Sequence, residues 1–303
     1  MTDARLNASA TGSSDASTFA VTFHGVRGST PCHGSDILRY GGNTSCVSLN
    51  VPGADPIVFD MGTGLRYFGA GRPAGAAYRG TFLLSHLHWD HIQGLPFFGP
   101  ILRDDSEIDV FAPEQEGDLR VADVFANTIK PPLFPINLSL LPGVMRFHDV
   151  GDGWFELPHP SGDADDTIRV LARTIPHVGP TVGYRVEWRG RSVVYMSDHQ
   201  MPHDGSLSAT DGALELCRDA DLVIHDAQYT PDEFVDRSDW GHCTIDFAVW
   251  LAITSGVRRL ALFHHDPSHD DDRLDELVAA AVKCGGGGGV EVFGATEGAT
   301  VDV

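Results

Sequence analysis

A chain of 303 residues has room for one large domain or two of about 150 residues each. Hydrophobic residues at 42% and charged residues at 21% fit a folded globular chain, and its apolar runs stay well below the roughly 18 residues of a membrane helix, which excludes collagen, coiled coil and integral membrane protein. Forty-two acidic against 21 basic residues leave a net charge of −21, a field that repels nucleic-acid phosphates, so a general nucleic-acid binder is not expected.

Residues 1–18 are polar, rich in Ser, Ala and Thr, and lack the apolar core of a secretion signal; they read as a flexible tail. From Phe19 onward short β-branched and aromatic runs alternate with turn signals: "FAVTFHG", "SCVSLNV", "PIVFDMG", "GTFLLSH" and "EIDVFAP". After a Pro-rich stretch from Lys130 to Pro142 the strand pattern resumes at 167–175, 183–190, 192–198, 221–227, 258–264 and 290–293. Helical patterns fall at about 211–219, 244–256 and 270–284, with Thr244 as an N-cap and Asp270 to Asp272 opening the last of them. The five glycines 285–289 read as a flexible joint before a final strand. Two sets of strands with helices between them suggest two packed sheets covered by helices, within a single domain over 19–303.

The five cysteines, Cys32, Cys46, Cys217, Cys243 and Cys284, are scattered and contain no C-x-x-C pair. Neither a disulfide framework nor a thiolate zinc site is indicated, and a reducing, cytoplasmic setting is expected. Fifteen histidines are the oddity of the composition. Four ligand-type side chains, His86, His88, Asp90 and His91, occur within six residues in "SHLHWDHIQG", directly after a strand pattern. Alternation at a strand end points His86 and His88 together while Leu87 and Trp89 turn away. Four such donors are too many for one closed tetrahedral ion and suit two adjacent ions.

These positions match the H-x-H-x-D-H motif of the metallo-β-lactamase superfamily, which the chain resembles. Within it the chain is most similar to the branch of ribonuclease Z and related phosphodiesterases, because "VRGSTP", "GGNTSC", "FDMGTGL", "PHVGPTVGYRV", "YMSDHQ", "HDAQYT", "GHCT" and "LFHHDP" fall in that family's order. The resemblance implies an α/β fold, a four-layer αββα sandwich of two mixed β-sheets flanked by helices. It implies one ion on His86, His88 and His177, a second on Asp90, His91 and His264, and Asp198 bridging both, with His265 adjoining His264 as the competing choice. Zinc is the default metal, and manganese or iron suit the same donors. Asp226 and His242 stand where the branch keeps a carboxylate and a histidine, and with Asp90 they form the expected catalytic set. Asp60 is expected as a partner of a metal histidine or, equally, as a turn-stabilising Asx residue.

His24, His33, His148, His159, His199, His203, His225 and His269 have no second ligand at useful spacing and read as surface or satisfied histidines, with His199 also a contact for substrate. Trp89, Phe97, Phe98 and "PPLFP" are expected either in a pocket wall or in the core. The leading expectation is a phosphodiesterase acting on a small or cyclic phosphate ester, without a nucleic-acid partner or a membrane; the sequence leaves the oligomeric state open, although a dimer is common in similar proteins. The alternatives are a transfer-RNA 3′-end endonuclease, which the acidic stretch between Gly99 and Pro142 argues against, and a lactone or thioester hydrolase.

Overall fold

A computed structural model describes residues 18–73 and 75–303. The tail expected over 1–18 lies outside the described residues apart from Thr18. In chain order the strands are β1 (Ala20–Gly25), β2 (Cys46–Asn50), β3 (Ile57–Phe59), β4 (Arg79–Leu83), β5 (Glu107–Pro113), β6 (Val144–Val150) and β7 (Gly153–Leu157). They continue as β8 (Ile168–Thr174), β9 (Val182–Trp188), β10 (Arg191–Met196), β11 (Leu222–Asp226), β12 (Arg259–Phe263), β13 (Glu291–Gly294) and β14 (Thr300–Asp302). One sheet runs β14-β1-β2-β3-β4-β5-β6 and the other β13-β12-β11-β10-β9-β8-β7.

The helices are α1 (Leu65–Ala70), α2 (Trp89–Ile92), α3 (Val121–Thr128), α4 (Asp211–Cys217), α5 (Pro231–Val235), α6 (Ile245–Thr254) and α7 (Asp271–Gly287). Phe23, Leu49 and Phe59 of the first sheet and Tyr184, Tyr195 and Phe263 of the second bury their side chains in one shared core. Phe59 stacks on Tyr195 at 4.8 Å across it. Outer cores lie under α1 and α3 on one side and under α4, α6 and α7 on the other. This is the expected αββα sandwich. Among the described residues no helix is long and apolar enough to cross a membrane.

Strand direction positions the site. β3, β4 and β5 are parallel to one another, as are β10, β11 and β12. Because β9 is antiparallel to both β8 and β10, β8 shares the direction of β10. Side chains that follow the carboxyl ends of such strands gather outside one edge of the sheets, where open α/β folds bind their ligands.

Three sequence expectations need correction. β6 and β7 are strands that the sequence pattern does not reveal, because they are edge strands whose residues include Arg146, His148, Asp149 and Glu156 and are mostly not buried. The final strand is β14, a three-residue edge element beyond β13, too short to carry a period. Gly285 to Gly287 form the last turn of α7 instead of a joint. Gly285 packs so closely on Val292 that a side chain there would collide with it, so close helix–sheet contact offsets the low helix propensity of glycine.

Candidate metal centre

Local chain geometry brings the predicted ligands to one point. β4 ends at Leu83, and Ser85 to His88 follow as extended chain before α2 carries Asp90 and His91 inward. His86 and His88 point together, their rings 4.4 Å apart, with Leu87 turned to the outer core and Trp89 to solvent. His177 follows β8, Asp198 follows β10 and His264 follows β12. The three reach the same edge. Ligand atoms of His86, His88 and His177 lie within 4.8 Å of one another, as do those of Asp90, His91 and His264. Asp198 joins His86 and His91 in a third such group, and His242 and His264 in a fourth. His264 is the inward residue of its pair, whereas His265 Nε2 bonds the Ala295 carbonyl at 3.0 Å, away from the cluster.

Four of the inward imidazoles are oriented from behind, whereas His88 turns its Nδ1 toward His86 and His177 at 2.9 and 3.2 Å. Gly241 O accepts from His177 Nδ1 at 2.6 Å, Asp60 from His91 Nδ1 at 2.7 Å and Gln228 Oε1 from His264 Nδ1 at 3.1 Å, while Ser85 Oγ lies 3.0 Å from His86 Nδ1. Such bonds fix the tautomer, leaving Nε2 with a lone pair directed at the centre. Asp60 also accepts from Ser85 N at 2.7 Å and from Tyr195 OH at 2.7 Å. It thus partners a histidine of the centre, while its carboxylate bonds run to distant elements and not to its own turn. Ser29, Asp60 and His264 are three of the five non-glycine residues with positive φ among the described residues. Ser29 N donates to Asp90 Oδ2 at 2.9 Å, so each of these strained backbones serves the centre.

The electrostatics suit cations. Burial pushes the imidazoles of His86 and His88 down, and that of His177 down to about 4, so these rings are neutral near neutral pH, the form in which an imidazole can bind a metal. Around His91, burial also opposes charge, but Asp90, Asp198 and Asp60 outweigh it and hold the ring well above its ordinary value. Asp198, buried among His264, His91 and His86, is held well below the carboxylate range although burial alone would raise it. Three carboxyl groups thus demand positive charge at one buried point. His91 Nε2 and Asp198 Oδ2 lie 3.2 Å apart, buried and without a hydrogen-bond partner. A buried donor–acceptor pair of this kind calls for a water or an ion to complete it. The chain therefore carries His/Asp clusters suited to metal ions.

Beside the clusters, Asp226 Oδ2 accepts from His242 Nδ1 at 2.9 Å, and Asp198 Oδ1 is 3.7 Å from the same nitrogen. Burial lowers the charge-bearing tendency of His242, yet Asp226, Asp198 and Asp90 raise it above its ordinary value. Asp226 Oδ1 also accepts from Gln228 N at 3.0 Å. The backbone-acceptor and imidazole-orienting roles therefore coexist. Helix α6 is capped by Thr244, not by His242. His199 and His225 are fully buried behind this pair and bond each other at 2.9 Å, so His199 is a satisfied histidine and not a substrate contact. Phe98 belongs to the outer core, whereas Trp89 and Phe97 are exposed.

Gln228 and Gly241 are the contributors that sequence reasoning does not single out. Both sit inside the short motifs already noted, "HDAQYT" and "GHCT", but their roles need a partner far away in the chain. Gly241 in particular has φ of 95°, and a side chain on it would collide with His177.

Residues 59–265 match the family model of the beta-lactamase superfamily domain. A ribonuclease Z from Natronomonas pharaonis is 27% identical over 325 aligned positions, covering 93% of this chain and 97% of that protein. In three dimensions the chain is similar to the metallo-beta-lactamase fold protein YhfI from Bacillus subtilis, at TM-score 0.68 and 18% identity over 95% of this chain and 100% of the other. It is also similar to the short form of human tRNase Z, at TM-score 0.64 and 20% identity over 94% and 99%. The first of these relatives overturns the expectation of a small phosphate ester and no nucleic-acid partner, since it is a ribonuclease by name over its whole length. The physical flaw in that expectation is that a net charge of −21 sums the whole surface and does not describe the field or the contacts at one cleft. By the extent of the family match, the chain belongs to the beta-lactamase superfamily.

Proposed function

We propose that this chain is a metal-dependent phosphodiesterase of the ribonuclease Z kind, cutting RNA at the 3′ end of a transfer-RNA precursor. The observation that carries the reading is the Asp226–His242 pair, held at 2.9 Å beside two clusters of ligand atoms with Asp198 reaching both. The near full-length likeness to a ribonuclease Z supports RNA as the substrate class.

In this reading His86, His88 and His177 would hold one divalent ion, Asp90, His91 and His264 a second, and Asp198 would touch both, with zinc as the default metal. When bound, such a pair lowers the pKa of a shared water toward neutrality and neutralises charge on phosphoryl oxygens. The remaining work belongs to the chain's own groups. Asp226 takes the Nδ1–H of His242, which directs Nε2 of that ring to proton exchange with whatever lies in the cleft. Asp226, bonded to Nδ1 at 2.9 Å, favours the charged ring, so His242 can keep a proton that the departing oxygen of a cut diester requires. Asp60, Gln228 and the Gly241 carbonyl hold the ligand rings still meanwhile.

Release of the 3′ trailer from a precursor transfer RNA by the metal-loaded protein tests the reading. Trailer release is expected, and His242→Ala is expected to slow it by about a hundredfold or more, the usual share of a positioned acid. A trailer that stays attached in the presence of fully loaded protein would sink the reading.

A further inference from the structure

We propose that Trp240 and Arg237 form a nucleobase subsite beside the metal centre, which grips a base next to the scissile phosphate by stacking. The inference rests on the RNA reading and adds to it the contact that holds the strand.

An open cleft adjoins the centre, lined by Ser29, Gln228, Arg237, Trp240, Asp266 and Ser268. Two of those residues tie it to the ligands: Ser29 N donates to Asp90, and Gln228 accepts from His264. Trp240 is 59% exposed although it is a large apolar ring next to a polar centre. Its position is fixed all the same. The Arg237 guanidinium lies 5.5 Å from the Trp240 ring and 5.2 Å from the buried Tyr229 ring, and it is anchored by Asp266 at 3.2 Å. Trp240 N is in turn bonded to Arg237 O at 3.0 Å, and the next residue, Gly241, is held by both His177 and Gln200. An indole held from one side and open to solvent on the other is a stacking platform, and every base offers a flat face to it.

Charge makes the same point from the other direction. Arg237 is the one basic residue lining this cleft and it is paired with Asp266 at 3.2 Å, so charge attraction at this point contributes little to holding a phosphate chain. Stacking, which salt does not screen, is the attraction left to the cleft mouth. A dimer contact is the competing use of an exposed tryptophan, and the test separates the two.

Adenosine 5′-monophosphate and ribose 5-phosphate differ only in the base, and titrating each into metal-loaded protein reads the subsite directly. The expected result is quenching of indole emission by the nucleotide and binding about tenfold tighter than that of ribose 5-phosphate, the scale of one base stack. Trp240→Ala is expected to abolish that difference, while Trp240→Phe keeps most of it and loses the quenching. Equal binding of the two ligands by the unaltered protein, or a preference for the nucleotide that survives in Trp240→Ala, overturns the proposal. So does a Trp240→Ala protein whose only change is a smaller mass in solution, which assigns the ring to a dimer contact. Should the nucleotide preference hold and depend on Trp240 while precursor transfer RNA stays uncut, the ribonuclease reading fails and the subsite stands. Should the precursor be cut with Trp240 making no difference to base binding, the reverse follows.

Discussion

Asp60 concentrates more polar contacts than any ligand it supports. It is fully buried, holds a left-handed backbone at φ of 56°, and accepts from His91, Ser85 and Tyr195. Replacing it by Asn keeps the volume but turns an amide N–H₂ toward groups that themselves donate. Asp60→Asn is expected to weaken metal affinity by about 10–100-fold and to cost about 1–3 kcal/mol of stability. Competition against a chelator and urea unfolding check the two effects, and affinity equal to that of the unaltered protein would contradict the role assigned here. The side chain's importance is hard to see in "FDMGTG" alone, because its four donors, Ser85, His91, Tyr195 and Ser197, lie 25, 31, 135 and 137 residues away. By contrast His86, His88, Asp90 and His91 are legible at once, since a strand end and one turn bring them together without help from the rest of the fold.

At the scale of elements, the centre is a set of loops at the carboxyl ends of β3, β4, β8, β10, β11 and β12. Loops of this kind must bring backbone close to rings. Gly241 shows the demand: its φ of 95° and its contact with His177 leave no room for a side chain. Gly241→Ala is expected to displace His177 and lower metal affinity by about tenfold or more, with a much smaller effect on the thermal midpoint because the loop lies outside the sheets. Metal titration beside calorimetry checks this, and an unaltered affinity would refute it. Sequence patterning finds the strands that are buried, such as β11 with all five residues covered. It misses β6, β7 and β14 because exposed edge strands carry charged or short segments whose pairing is decided by neighbours far along the chain. Likewise His177, Asp198 and His264 are ordinary residues in isolation, and only the order of the family's motifs marks them in advance.

For the molecule as a whole, acid sensitivity follows from histidines that the fold keeps neutral. His24 is the clearest case away from the metal centre. Burial, assisted by Arg72, pushes its pKa down to about 4 from 6.5, and its Nε2 bonds Ser48 Oγ at 2.8 Å. The unfolded chain takes up this proton first as pH falls, so the contribution is complete above 6.5, declines between 6.5 and about 4, and changes no further below that. His24→Gln is expected to flatten the decline of stability over that window, measured by denaturant unfolding at several pH values, and an unchanged slope would assign the sensitivity elsewhere.

The proposed ligand set is divided between the halves of the sandwich: His86, His88, Asp90 and His91 follow β4 of one sheet, and His177, Asp198 and His264 follow strands of the other. Any cation seated among them is a rivet through both plates at their open end. Loading and folding would then share one free energy, so that scarcity of metal in the surroundings would loosen the seam at the same moment that it silences the proposed chemistry.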